Sequence, residues 1–180
     1  MKIKLAESLE IPEGIDCEFA DKVITCKKGS VSLSRNINVP GIKVKIEGRT
    51  IHFIGEKTNK NEYKKVKSNI AHIKNLFQGL NEKFVYQLES ANVHFPMTLK
   101  VANGRLEINN FLGEKTPRYA KILPNVTVDV KGAKITVSSN SKEAAGQVVS
   151  YIEAATKVRN RDRRVFQDGI YLTDKPRRKD

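Results

Sequence analysis

The sequence predicts an α+β fold: two tandem copies of a small antiparallel β-sheet, each with one α-helix packed on it. Three observations carry that prediction. Short segments alternate apolar and polar residues and end in glycine turns, one helical stripe follows each set, and the whole order recurs once within 180 residues. The length suits two compact domains of about 90 residues each. An apolar fraction of 39% is enough to build a core and excludes wholesale disorder.

In the first copy the alternating segments are residues 23–26, 31–33, 42–46 and 51–54, with Lys28-Gly29 and Glu47-Gly48 at the corners. Period-2 patterning with glycine corners is the signal of antiparallel strands covered on one face. A helix follows, because Val66, Ile70, Ile73 and Phe77 recur at spacings of 4, 3 and 4. Asn59, three residues before Glu62, supplies an N-cap with its capping-box partner. Gly79-Leu80 suits a helix C-terminus, which sets the expected domains at residues 1–79 and 80–180.

The second copy repeats the order. Residues 99–101 and 106–108 flank Asn103-Gly104, and residues 126–130 and 135–137 flank Lys131-Gly132. Asn140 stands three residues before Glu143, and Ala145, Val148, Val149, Ile152 and Ala155 form the helical stripe. The two caps match at an offset of 81 residues, the two stripes at 82. Gly29 to Gly48 spans 19 residues whereas Gly104 to Gly132 spans 28, so the second copy carries an insertion. It is expected as a surface loop over residues 109–121, where function tends to be grafted.

Charge sharpens the picture. Thirty-three Lys and Arg against 20 Asp and Glu leave a net +13, which points to a polyanionic partner, nucleic acid before membrane. Residues 1–21 carry −4, residues 22–80 carry +10 and residues 81–180 carry +7. Arginine, whose planar fork binds phosphate bidentately, is concentrated in the second half. Arg159, Arg161, Arg163 and Arg164 fall within six residues. They open a basic C-terminal tail, residues 157–180, in which Phe166 and Tyr171 are interleaved as stacking or packing anchors and Asp168-Gly169 reads as a turn.

No catalytic or metal-binding set emerges, and no cofactor is expected. Gly-Glu-Lys-Thr occurs at 55–58 and 113–116, but a phosphate loop needs Gly directly before Lys and another Gly upstream. His52, His72 and His94 share no ligand spacing and read as surface or satisfied histidines. Cys17 and Cys26 are too few for a disulfide framework or a structural zinc site, so they are expected as reduced thiols packed like small apolar residues. No apolar run reaches the roughly 20 residues of a membrane helix, and Glu7 and Glu10 interrupt any secretory h-region. A cytoplasmic protein without membrane association is expected. An rRNA-modifying or RNA-processing enzyme is the alternative, but it would need a general base or cofactor loop.

Three stretches carry a family resemblance: Val93-His94-Phe95-Pro96, Asn110-Phe111-Leu112-Gly113-Glu114-Lys115, and the closing Arg161-Asp162-Arg163-Arg164-Val165-Phe166-Gln167-Asp168-Gly169-Ile170-Tyr171-Leu172. They resemble the archaeal and eukaryotic branch of the large-subunit ribosomal protein L6 family. The likeness extends over essentially the whole chain, including the acidic start Leu9-Glu10-Ile11-Pro12. The chain is shorter than the eukaryotic form, which favours the archaeal type. The resemblance implies a non-enzymatic constituent of the cytoplasmic ribosome that binds large-subunit rRNA, mainly through the second domain. It also implies a place near the sarcin–ricin region and the stalk base, beside neighbouring ribosomal proteins and docking translational GTPases. Matching the motifs makes Lys115 and Arg118 in the loop, and Arg159, Arg161, Arg163 and Arg164 in the tail, the expected rRNA contacts. Charge alone adds Lys121, Arg177, Arg178 and Lys179.

Overall fold

The computed structural model describes residues 3–176. The chain divides into two compact units, Met1–Glu82 and Lys83–Asp180. The first contains β1 (Ile3–Glu10), β2 (Asp16–Ala20), β3 (Val23–Lys28), β4 (Val31–Asn36), β5 (Lys43–Glu47), β6 (Thr50–Thr58) and α1 (Lys60–Asn81). The second contains β7 (Phe84–Ala91), β8 (Thr98–Ala102), β9 (Arg105–Asn109), a 3-10 turn (Phe111–Gly113), β10 (Arg118–Lys121), β11 (Val126–Lys131), β12 (Lys134–Ser139), α2 (Lys142–Ala155) and β13 (Gly169–Asp174). All pairings are antiparallel among the described residues.

The strands of each unit fall into two sheets rather than one. The first unit has the orders β1-β6-β5 and β2-β3-β4, and the second has β11-β12-β7-β13 and β10-β9-β8. The duplication is therefore visible in connectivity: β7, β12 and β11 repeat β1, β6 and β5, and β8 to β10 repeat β2 to β4. β13 is the addition, paired to the free side of β7.

This topology corrects the repeat read from glycine turns. Gly29 closes the β3–β4 hairpin, whereas Gly104 closes β8–β9, the counterpart of β2–β3. Both glycines sit at positive φ, +58° and +68°, as hairpin corners require. Turn chemistry marks a hairpin without saying which one, so the two were matched wrongly. The insertion lies between β9 and β10, where the first unit has the tight Gly29-Ser30 turn. It is a loop only in part, since its last four residues are β10.

A second correction concerns the helix starts. Asn59 caps α1 and its backbone N–H donates to Glu62 at 2.7 Å. In α2 the cap is Ser141, not Asn140: its Oγ accepts from the Ala144 N–H at 3.3 Å. Caps and stripes then both repeat at the 82-residue offset, and the one-residue slip disappears. Gly79 does not end α1 either. The helix runs through it to Asn81 with Leu80 buried, so the division of the chain falls after Glu82 instead of at 79.

Each helix buries its apolar stripe against strands. In the first unit Val66, Ile73 and Phe77 meet Ile24, Ile51 and Phe53. In the second, Val148, Val149 and Ile152 meet Phe84, Leu88, Leu106 and Ile135. β7 is not among the segments expected from alternation, yet Phe84, Tyr86, Leu88 and Ser90 are buried in strict alternation. Glu7 and Glu10 belong to β1, and Asp16 and Glu18 to β2, so the acidic start is mostly sheet.

The capping assignment is testable. Ser141→Ala should destabilise the second unit by about 1 kcal/mol in urea unfolding, because it removes the acceptor for the Ala144 N–H. An unchanged midpoint would remove Ser141 as the cap.

Candidate nucleic-acid interface

The second unit brings the insertion and the C-terminal segment together around one arginine. Phe111 drops into the core at 1% exposure and fixes the loop. Asn110, Leu112 and Gly113 all adopt positive φ, so the chain turns tightly about it. Arg118, on β10, lies over the Phe111 ring, 4.2 Å from its centroid. Its Nε and Nη2 donate to the two Glu114 carboxylate oxygens at 2.7 and 2.6 Å. That fork holds the Glu114 carboxyl below the usual carboxylate range. Nη1 donates to the carbonyls of Ala155 and Lys157 at 2.9 and 3.4 Å. The Ala155 carbonyl ends α2 and that of Lys157 lies just beyond it, where a cation is favoured by the helix dipole. Arg118 thus ties the loop to the start of the basic segment with four hydrogen bonds turned inward.

The segment after α2 is held equally firmly. Asp168 is 1% exposed. Its Oδ1 accepts from the backbone N–H groups of Val93 and His94 at 2.8 and 2.9 Å, and Oδ2 accepts from His94 Nδ1 at 2.5 Å. Burial pushes this carboxyl up, but the hydrogen bonds from His94 and Val93 outweigh it and the net shift is downward. The His94 ring then stacks on Phe166 with centroids 5.0 Å apart, and the Arg161 guanidinium sits 4.6 Å from the same ring. Asp168-Gly169 is not the turn expected from its sequence, since the turn falls at residues 163–165 and Gly169 opens β13. The Asp168 carboxylate pins residues 93–94 to the C-terminal segment.

β13 completes the clamp. Its Ile170 and Leu172 N–H groups, on the side away from β7, donate to Thr156 Oγ1 at 3.0 Å and Glu153 Oε1 at 3.1 Å. The exposed edge is thereby closed by side chains of the α2 end. Tyr171 is 49% exposed, donates its hydroxyl to the Gln167 carbonyl at 3.1 Å, and lies across Gly169. A Cβ at 169 would come 3.0 Å from the outer end of that ring, so a larger residue there would require Tyr171 to shift.

The expected site residues divide accordingly. Arg159, Arg161, Arg163 and Arg164 are all exposed, carried on the turn between α2 and β13. Arg164 pairs with Asp162 at 3.0 Å but remains 90% exposed, so the pair is weak and open to competition. Arg159 borders a recess of about 360 Å³ with Arg118 and Tyr119, beside the loop strand. Lys115 and Lys121 are exposed on the loop and at the end of β10. Arg177, Arg178 and Lys179 lie outside the described residues. Sequence reading missed Asp168 and His94, since their partners are about 75 positions away. Nothing in the local sequence signalled that Arg118 was already engaged, since Glu114 lies in a loop and Arg118 on a strand.

Among the described residues no cluster of His, Cys, Asp or Glu is placed to hold a metal, and no helix is long and apolar enough to cross a membrane. A duplicated α+β fold that presents exposed arginines on a braced turn is the arrangement of a polyanion-binding scaffold. The family model described as Ribosomal protein L6 matches residues 95–169. Along 171 residues, 95% of this chain and 94% of the relative, the sequence is 39% identical to the large ribosomal subunit protein uL6 of Methanococcus vannielii. The proteins of the same name from Methanothrix thermoacetophila and Methanosarcina mazei are 38% and 39% identical, each over 96% of this chain and 98% of the relative. The chain belongs to the ribosomal protein L6 family, of the archaeal type. These relatives are named as ribosomal proteins and not as enzymes, so the alternative of an RNA-modifying enzyme falls.

The Asp168 clamp makes a pH-dependent prediction. Its carboxyl titrates lower in the folded chain than unfolded, so its stabilisation is complete above the unfolded value of about 3.9 and is lost as pH falls through the folded value. Asp168→Asn should cost about 2–3 kcal/mol at neutral pH. Urea titrations of the two proteins should converge as pH falls below the unfolded value and through the folded one. A gap that stays constant with pH would assign the loss to packing.

Proposed function

We propose that the chain is a structural constituent of the large ribosomal subunit, built into the cytoplasmic ribosome, that grips large-subunit rRNA through the α2–β13 turn and the β9–β10 loop. The observation that carries this reading is the set of four exposed arginines on a segment braced by Arg118 and Asp168. Because the segment is ordered before binding, little conformational entropy is lost on contact. The contacts assigned to rRNA are Arg159, Arg161, Arg163, Arg164, Lys115 and Lys121, with Arg177, Arg178 and Lys179 added on charge. Arg118 acts through its neighbours, holding loop and turn in one surface. A-form RNA hides its base edges in a deep major groove, so recognition is chiefly of backbone and shape.

The resemblance of the motifs supports a finer placement as part of the same proposal: near the sarcin–ricin region and stalk base, beside other large-subunit proteins and supporting the site where translational GTPases dock. The chain's role there is to brace rRNA. Cross-linking from positions 163 and 164 in assembled subunits should reach nucleotides of that region; cross-links confined elsewhere would overturn the placement while leaving rRNA binding intact.

Binding should be governed by phosphate neutralisation. With about six contacts, affinity for a cognate rRNA fragment should fall roughly 300-fold to 2,000-fold between about 0.05 and 0.2 M salt. Arg163→Ala and Arg164→Ala should each weaken binding and reduce the salt slope by about 0.7–0.9. Equivalent changes at Lys64 or Lys67 should matter less; Lys67 is already paired with Glu7 at 2.7 Å. The reverse ranking, read by filter binding, would move the interface to the first unit.

A further inference from the structure

The first unit holds a feature that rRNA binding does not use. Cys17 and Cys26 are the only two cysteines in the chain, and they lie directly opposite each other on β2 and β3. Opposed residues of an antiparallel pair point to the same face with Cα atoms about 4.5–5.5 Å apart, inside the range a disulfide spans. The two sulfurs are unbridged and in direct contact. Their settings differ. Cys26 is fully buried among Ile24, Ile51 and Phe53. Cys17 is half-buried and lines an open groove of about 530 Å³ with Phe19, Val44 and Ile46.

We propose that Cys17 and Cys26 form a thiol–disulfide exchange site whose substrate is a small-molecule disulfide, with Cys17 the attacking sulfur and Cys26 the resolving one. Cys17 is the sulfur a reagent in the groove can reach. The hydrogen-bonding contact with Cys26 holds its thiol below the usual range, against the opposing effects of burial and the Asp16 charge. The same contact, with burial, pushes Cys26 up. In the first step the Cys17 thiolate attacks RS–SR; the Cys17–SR bond forms, the S–S bond of the reagent breaks, and RS⁻ leaves. In the second, Cys26 gives up its proton to the medium and attacks the Cys17 sulfur; a Cys17–Cys26 bond forms and the second RS⁻ leaves. The protein loses two electrons and two protons, and RS–SR becomes two RSH. Closure ties the edge strand β2 covalently to β3 and withdraws the thiol from the groove.

The full-length protein should be treated with oxidised glutathione in the folded state and followed by intact-mass spectrometry and peptide mapping. The expected product is loss of two hydrogens, one linked peptide containing positions 17 and 26, and loss of both alkylatable thiols. Cys26→Ala should stop at a Cys17–glutathione adduct, because no resolving sulfur remains, while Cys17→Ala should stay unmodified at its buried Cys26. A wild-type protein that keeps two free thiols, or forms disulfide-linked dimers instead, would overturn the proposal whether or not the variants fold. Modification of Cys17→Ala with an inert Cys26→Ala would overturn the assigned order.

Discussion

A carboxylate at 1% exposure is the constraint on which the second unit is organised. Burying an unpaired charge costs several kcal/mol, so Asp168 is tenable only with its oxygens filled by hydrogen bonds. Three come from residues 93–94, at the far end of β7 and more than seventy positions upstream. Satisfying the carboxylate therefore fixes where the chain must return after α2. Once it has returned, the His94 ring seats Phe166, Phe166 receives Arg161, and the neighbouring arginines are held outward. Charge presentation on one side of the segment follows from charge burial on the other.

The two units show how one architecture separates stability from function. The order β1-β6-β5 recurs as β7-β12-β11, and in both units the helix stripe lies 82 residues from its counterpart. These shared parts bury the apolar side chains. The parts added to the second unit, the β9–β10 insertion and β13, flank or brace the α2–β13 turn on which Arg159, Arg161, Arg163 and Arg164 are exposed. Arg118 lies where the additions meet: one guanidinium reaches Glu114 in the loop and the carbonyls that end α2. Arginine suits that position because its rigid fork serves several acceptors at once, which a lysine ammonium on a flexible stem does less well.

Much of the candidate interface was legible as composition. The run of Arg159, Arg161, Arg163 and Arg164 is local, and local charge density survives folding because charged side chains stay at the surface. The distinction between an arginine that faces solvent and one that is consumed internally was not legible. Arg118 and Arg159 look alike in sequence; the first is half-buried and engaged by Glu114 and two backbone carbonyls, and the second is exposed. His94 and Asp168 were equally opaque, since no local pattern links residues so far apart.

The sequence by itself determined the fold class, the presence of a repeat, both helix stripes and most strands, because those rest on periodicities of two and 3.6 residues and on turn chemistry, all short-range. It also placed most of the arginines in the second half. Only the tertiary structure decided which hairpin Gly104 closes, that Ser141 caps α2, and that the C-terminal segment is a sheet strand locked by Asp168. It alone set Cys17 against Cys26 across two strands. Strand pairing, buried-charge satisfaction and side-chain register depend on which distant residues share a neighbourhood, and that is settled by packing the whole unit.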